Sequence, residues 1–572
     1  MTATETNPVS TEAERLEDLM ASLRAVHASG RTRSIEWRRR QIEGIERLVT
    51  EREADIAAAL EADLGRTAAE AWLADVNPSL GEAVYARKHL KKWMRRRRSG
   101  LPLNQRPSKA WVQYEPLGVV LVISPWNYPI YLALSPLVAA VAAGNCVVVK
   151  PSELAPACSA LMADLLPKYL DPEAVVVVEG DGATSQNLLA LGFDHVLFTG
   201  GTEIGRKIMA GAAPTLTPVT LELGGKSPVV VAADADIEVA ARRIAWVKLL
   251  NSGQTCIAPD YVLVEEPVRQ KFVDTLLSTL AEFRAEAPDA GLPIVNERQH
   301  ERLAGYLEAT KGTVVTGGGV SSADRTIQPT VIVDPDPDEP AMTDEIFGPI
   351  LPVVPVRDLD EAVRFINGRP KPLALYGFTK SRATRDRLAD VPAGGTVFNH
   401  IAMHVLVPQL PFGGVGESGT GAYHGEWGFQ TFSHRKAVLA KPAKPDPKFV
   451  YPRLKKASSV TKDEAEHGEH EHAEGNEALL AVLECAGTDT QKFDDAVEEL
   501  ARVVNHHLTE EELTIPNPAR EDVGEQLRAE LGEAFATERN RQIDDDCGRI
   551  ENVRRLVAEA RREGLIEDED ED

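Results

Sequence analysis

Gly118-Val119-Val120-Leu121-Val122-Ile123-Ser124-Pro125-Trp126-Asn127-Tyr128-Pro129 sets the reading of the whole chain. Its first half is dense in β-branched and large apolar residues, as a strand covered on both faces of a sheet should be. Similar runs recur at Cys146-Val147-Val148-Val149, Ala174-Val175-Val176-Val177-Val178 and His195-Val196-Leu197-Phe198, spaced for intervening helices. The alternation predicts parallel strands joined by crossover helices, an α/β architecture. The longest apolar stretch, Tyr131 to Val149, approaches membrane-span length, but Ser135-Pro136 and Gly144-Asn145 interrupt it and Lys150 ends it. It reads as a buried helix followed by a buried strand, with no membrane span.

The chain has 572 residues, 43% of them hydrophobic, and 42 glycines, which suits three or more packed domains and excludes a disordered protein. Its five cysteines (Cys146, Cys158, Cys256, Cys485, Cys547) stand singly, so no disulfide framework or cysteine zinc site is expected. Met1-Thr2-Ala3-Thr4-Glu5-Thr6 lacks the basic flank and apolar core of a signal peptide. A reducing, cytoplasmic setting is the expectation. A net charge of −25 disfavours nucleic acid and anionic lipid as partners. Arg95-Arg96-Arg97-Arg98 is one basic spot, read as a solvated helix end.

Two segments carry chemistry. Cys256 ends Asn251-Ser252-Gly253-Gln254-Thr255-Cys256, and Glu222 lies in Leu221-Glu222-Leu223-Gly224-Gly225-Lys226. Each is expected in a glycine-bearing turn after an apolar, strand-like run. A thiol nucleophile and a carboxylate base are the groups needed to make and then hydrolyse a thioester. Asn127, held between prolines at a strand's carboxyl end, can present its amide N–H to an oxyanion. Phe198-Thr199-Gly200-Gly201-Thr202-Glu203-Ile204-Gly205 closes a strand and opens a helix, either as a pyrophosphate-binding turn or as an ordinary strand-to-helix turn. Lys150-Pro151-Ser152-Glu153 offers an ammonium and a carboxylate that could bond ribose hydroxyls or simply pair with each other.

In this order, and with Glu345-Ile346-Phe347-Gly348-Pro349 and Pro411-Phe412-Gly413-Gly414-Val415-Gly416, these segments resemble the aldehyde dehydrogenase superfamily. Ser252 to Tyr261 and Ser418-Gly419-Thr420-Gly421-Ala422-Tyr423-His424-Gly425 look like its class 3 branch. The resemblance runs over roughly residues 18–452. It implies a Rossmann-like NAD(P)-binding domain over 1–222 with bridging strands within about 100–117, an α/β catalytic domain over 223–404, and a small β bridging segment over 405–440 that pairs subunits into a homodimer. It also implies roles. Cys256 would be the nucleophile, Glu222 the hydrolytic base and Asn127 an oxyanion donor. Lys150 and Glu153 would hold the adenosine ribose, with Gly200, Gly201 and Gly205 at the pyrophosphate. Trp126 would belong to the cofactor site, Phe347 would wall the nicotinamide pocket, and Glu345 would hold the nicotinamide ribose. Glu153 favours NAD, although class 3 enzymes often accept NADP. Gly201 departs from the serine many members carry. Aromatic and medium-to-long aliphatic aldehydes are the implied substrates.

Composition shifts near residue 440. Residues 441–470 read as a linker, 471–563 as helical, and 564–572 as an acidic tail. Phe493, Val497, Leu500 and Val504 form a stripe that continues to His507 and Glu511, and His472, Asn476, Leu479 and Leu483 form another. His506-His507-Leu508-Thr509-Glu510-Glu511 resembles half of a hemerythrin-like domain, implying His472, His507 and Glu511 as iron ligands. Either two half-bundles complete the site across a dimer, or the segment is a helical hairpin kept for assembly. The competing function is an iron-, oxygen- or redox-sensing protein with an inert dehydrogenase part.

Overall fold

The structure, a computed structural model, describes residues 12–102, 108–286, 291–442, 462–485, 490–514 and 550–563, without the side chains of 462–471, 505–514 and 552. The chain divides into two compact units, Met1–Ala440 and Lys441–Asp572.

The first unit is built on two sheets. One has six strands in the order Gly419–Thr420, Val219–Glu222, His195–Thr199, Val119–Ile123, Cys146–Lys150, Val175–Val177. All neighbours run parallel except Gly419–Thr420. Every residue of Val119–Ile123, Cys146–Lys150 and His195–Thr199 is buried, which is why these runs show no polar alternation. From Val119–Ile123 the chain lays down two strands to one side, Cys146–Lys150 and Val175–Val177, then returns to its other side with His195–Thr199. The crevice at the carboxyl ends of Val119–Ile123 and His195–Thr199 is therefore the topological switch point, where open α/β sheets take ligands. The helix Tyr131–Ala143 is buried on all sides and ends at Gly144, whose φ of 91° no β-carbon tolerates well.

The second sheet orders seven strands as Thr313–Thr316, Thr330–Val333, Ile350–Val356, Tyr261–Glu265, Pro228–Val231, Ala374–Phe378, Gly395–Phe398. Only Thr313–Thr316 is antiparallel to its neighbour. A third, antiparallel sheet joins Arg97–Ser99, Lys109–Pro116 and Ser433–Ala440. Arg97 and Arg98 thus belong to a short exposed strand, beyond the helix that ends at Trp93.

One local expectation is corrected. The apolar run before Cys256 is the helix Ile237–Leu249, not a strand. Its buried residues, Ile237, Ala240, Ala241, Ile244, Ala245, Val247 and Lys248, step by three and four along one face, and Asp236 caps its start by accepting from the Val239 N–H.

The second unit contains the helices Lys462–Leu483, Gln491–Thr514 and Ile550–Glu563 among its described residues, the first starting inside the stretch read as linker. Ala473, Val553, Val557 and Ala560 form a small core with Leu479 and Leu480 against it. The packed faces are rotated from the expected stripes. Ala473 is buried where His472 was expected to point inward, and His472 is exposed. On the second helix Val503 is buried, whereas Val497 and Val504 are about 40% and 39% exposed. A one-residue slip turns a helix face by 100°, and the helix Ile550–Glu563 supplies the surface that selects the Ala473 face. No described helix is long and apolar enough to cross a membrane.

Candidate active site

Cys256 follows a turn that its sequence resists. Asn251, Ser252 and Gly253 have φ of 52°, 50° and 72° in succession, and for the first two the left-handed region costs roughly 1–3 kcal/mol each. Hydrogen bonds over-determine it. The Asn251 amide donates to the Gln254 carbonyl (3.0 Å) and the Asn127 carbonyl (3.2 Å), and Ser252 Oγ donates to the Leu292 carbonyl (2.6 Å). Gln254 Nε2 donates to Asn251 and Pro293 carbonyls, and its Oε1 accepts from Val295 N–H (3.0 Å). A β-carbon on Gly253 would lie 2.2 Å from the Gly348 carbonyl oxygen, so only glycine fits there. The reversal delivers Cys256, partly exposed, into a cavity wall. Tyr128 and Thr255 share a hydroxyl contact of 2.6 Å, and Tyr376 Oη donates to the Ile257 carbonyl at 2.6 Å, bracketing the cysteine on both sides.

Asn127 is 3% exposed, and its Nδ2 donates one N–H to the Gln254 carbonyl at 3.1 Å. An amide has two such hydrogens, so the other remains for a ligand. Glu222 ends its strand and is 2% exposed, with neither carboxyl oxygen hydrogen-bonded.

Two cavities meet at these residues. An apolar tunnel of about 180 Å³ is walled by Tyr128, Trp246, Leu250, Met403 and Tyr423 among others. A larger cleft of about 570 Å³ is walled by Trp126, Asn127, Gly200, Gly201, Glu345 and Phe347. Leu132, Thr199, Glu222, Leu223 and Cys256 belong to both walls. The thiol and the carboxylate therefore stand where the two spaces join.

Burial dominates the electrostatics. It pushes the Cys256 thiol up to about 12, with Glu345 and Glu222 adding to the rise. Glu222 is held well above the usual carboxylate range by burial alone. Glu345 is pushed up to about 8 by burial and then by Asp260, against the Gly225 N–H, Lys226 and Arg302.

The Glu345 segment is clamped from three sides. Arg302 donates to the carbonyls of Glu345 (3.0 Å) and Ile346 (2.7 Å), and Ile346 N–H donates to Asp260 Oδ2 (2.9 Å). Lys226 Nζ bonds Asp260 and donates to the carbonyls of Ala341 (2.9 Å) and Asp344 (2.7 Å). The Glu345 carboxylate lies on the backbone of Gly224, where a β-carbon would stand 1.9 Å from Oε2. Phe347 and Trp126 meet edge to face at 5.5 Å. Lys226, Asp260 and Arg302 were not singled out in the sequence. Lys226 and Asp260 fall inside the quoted motifs, but nothing local shows that they meet each other or residue 346.

Other candidates stand further out. Lys150, in register with Ile123, pairs through Nζ with Glu153 Oε2 at 2.9 Å at the same sheet edge. Gly205 is one turn into the helix Thr202–Ala212, where a β-carbon would meet Leu223 at 2.6 Å, so its absence sets helix-to-sheet packing. That helix starts at Gly201 without a side-chain cap, and Gly200 to Ile204 at its start line the cleft. Of the residues expected to hold iron, His472 is exposed, and the side chains of His507 and Glu511 lie outside the described residues. Among the described residues no three His, Cys, Asp or Glu side chains are grouped to hold a metal ion.

A model of the Aldehyde dehydrogenase family matches residues 5–438. The chain is 43% identical over 431 residues to "Aldehyde dehydrogenase, dimeric NADP-preferring" of Rattus norvegicus, covering 74% of this chain and 94% of the relative. It is 44% identical over 434 residues to "Aldehyde dehydrogenase family 3 member A2" of Mus musculus, covering 75% and 89%. Among solved structures, the substrate-bound state of Staphylococcus aureus AldH is similar with a TM-score of 0.74 at 38% identity, covering 76% of this chain and 96% of the other.

Proposed function

Because the chain belongs to the aldehyde dehydrogenase family, we propose that it oxidises aldehydes with aromatic or medium-to-long aliphatic substituents to carboxylic acids through a thioester on Cys256. The single observation that carries this reading is that Cys256 and Glu222 are common to the apolar tunnel and the larger cleft.

The tunnel walls suit an apolar substituent and leave a charged one unpaired, which supports this substrate class. Cys256 Sγ bonds to the carbonyl carbon, and the carbonyl oxygen takes the electron pair. That oxyanion receives the free Asn127 Nδ2–H and the Cys256 backbone N–H. The thiol proton passes to the Glu222 carboxylate, directly or through one water. A nicotinamide dinucleotide held in the larger cleft by Gly200, Gly201, Glu345, Trp126 and Phe347 would supply the hydride acceptor needed to bring the adduct to the thioester level. Glu222, once it has released the thiol proton to solvent, takes a proton from the water that attacks the thioester carbon, and the Cys256 sulfur leaves as a thiolate as the acid forms. Burial without a hydrogen-bonding partner keeps the Glu222 carboxyl a strong base once ionised.

The residues present fit such a dinucleotide. The uncapped helix start at Gly201 suits a pyrophosphate, and a β-carbon there would have nothing within 4 Å, so the turn has room on that side. Lys150 and Glu153 would hold the adenosine ribose, Glu345 the nicotinamide ribose, and Trp126 and Phe347 the ring. The half-exposed Glu153 carboxylate repels a 2′-phosphate, which favours NAD over NADP. The rat relative's name, NADP-preferring, defines the competing outcome, and the ratio of kcat/KM values for the two cofactors decides it. A homodimer fits the open edge of the strand Ser433–Ala440, which pairs on one side only among the described residues. The helices beyond residue 461 enter no step of this scheme.

Cys256→Ala is expected to abolish aldehyde-dependent NADH formation while leaving dinucleotide binding intact. Retained turnover would remove Cys256 from the mechanism.

A further inference from the structure

Asn127 sits in a loop whose shape needs an outside support. Residues Ser124 to Ile130 connect a buried strand to a buried helix and carry Trp126, Asn127 and Tyr128 into both cavities. Two side chains from the N-terminal helical region reach that loop. Arg66 is 1% exposed, and its Nη2 donates to the Asn127 carbonyl. Its Nη1 pairs with Asp75, which has no exposed surface. The guanidinium carbon also lies 4.6 Å from the centre of the Tyr128 ring. Asp75 Oδ1 in turn accepts the N–H groups of Ile130 (3.0 Å) and Tyr131 (2.8 Å).

The four contacts span the loop from Asn127 to Tyr131 and converge on one buried ion pair. Nothing in the chemistry of the sheet or helix requires a charge there, and taking two charges out of water is expensive unless their bonds are all met. Here both are met by the backbone that carries the oxyanion donor. Asp75 belongs to a π-helical turn, Trp72–Val76, of a kind that concentrates at functional sites. Leu73 and Ala74 of the same turn line the apolar tunnel.

We propose that Arg66 and Asp75 are positioning residues for the reaction, holding the Asn127 amide in the place where the oxyanion develops. The planar fork of Arg66 is essential to this role, because it addresses Asp75 and the Asn127 carbonyl at once while stacking on Tyr128. A lysine keeps the charge but, as a single ammonium, cannot reproduce that arrangement. Since a displacement near 1 Å at a reacting centre costs on the order of 100-fold in rate, the loss should fall on kcat. The inference rests on Asn127 as the oxyanion donor, and Asn127→Ala alone tests that foundation.

The experiment compares Arg66→Lys, Asn127→Ala and the double variant in the full chain. It records kcat and KM for an aldehyde, dinucleotide affinity, and the rate of Cys256 alkylation by iodoacetamide. Arg66→Lys should lower kcat about 10- to 100-fold with KM, dinucleotide affinity and alkylation within about twofold. In the Asn127→Ala background the same substitution should cost less than about twofold more, since both act through one amide. A full multiplicative loss in the double variant would overturn the proposal while sparing the Asn127 reading. An Asn127→Ala enzyme with unchanged kcat would overturn both. Should Arg66→Lys not fold, Arg66→Met combined with Asp75→Leu replaces the pair by apolar groups, a change buried pairs often tolerate. Wild-type kcat in that folded double variant would overturn the proposal, and a lowered kcat with intact alkylation would support it.

Discussion

The resting nucleophile should be a neutral thiol in the absence of cofactor, and its alkylation rate measures this. Burial, then Glu345, then Glu222 push Cys256 from its ordinary 9.0 up to about 12. At pH 8 the thiolate fraction falls from ~10% to ~0.01%, a loss of about 1,000-fold in reactive species. A thiolate of higher basicity is intrinsically more nucleophilic, and a Brønsted slope of about 0.4–0.5 over three units returns roughly 20-fold. The first effect wins, so iodoacetamide should alkylate Cys256 about 50-fold more slowly than an unperturbed thiol at pH 8. The rate should climb about tenfold per pH unit through pH 10. Peptide mapping after limited labelling separates Cys256 from Cys485, which is also partly exposed, while Cys146 and Cys158 are buried. Glu345→Gln should speed the reaction about 3- to 10-fold above pH 8, where the native carboxyl ionises, and have little effect below. A rate that levels off near pH 7 at or above that of a free thiol would refute this electrostatic account.

Three further outcomes follow from the same geometry. Glu345 titrates at about 8 in the fold against an ordinary 4.5, so the folded state binds the proton more tightly. Its stabilising contribution is complete below about 4.5 and is lost as pH rises through about 8; Glu345→Gln should therefore raise stability at pH 9 by about 2 kcal/mol after solvent relaxation and much less at pH 5. Equal urea midpoint shifts at both pH values would show that the carboxyl is not proton-linked. Gly253→Ala forces a β-carbon into the Gly348 carbonyl at φ 72°, and should lower the melting temperature and cut kcat at least about tenfold. Native kinetics there would show that the turn is not held as described. Trp246, 38% exposed at the tunnel, should on change to alanine raise KM for octanal more than for propanal by about 3- to 10-fold. Equal changes for both aldehydes would move the substrate tail elsewhere.

The parallel strands were legible because burial on both faces forces unbroken apolar runs such as Val119 to Ile123 and Cys146 to Val149. The placement of Glu222 and Asn127 was legible for a related reason: Glu222 ends such a run before glycines, and Asn127 follows one between prolines. The helix before Cys256 was misread because a short apolar run carries no decisive period, and only its burial face separates helix from strand. The supports of the site were hidden for a different reason. Arg66 meets Asn127 across 61 positions, and Ile346 meets Asp260 across 86, contacts that no local pattern encodes. In the C-terminal helices the stripe through His472 competed with one through Ala473, and packing of Val553 and Val557 decided between them.

In the proposed reaction Glu222 drives hydrolysis of an acyl group carried on Cys256. Intact-protein mass measured on Glu222→Gln, seconds after mixing with an aldehyde and NAD, tests it most directly. One NADH per active site in a burst, and a mass increase equal to the acyl group that maps to Cys256, are expected. Steady turnover at the wild-type rate with no added mass would contradict it.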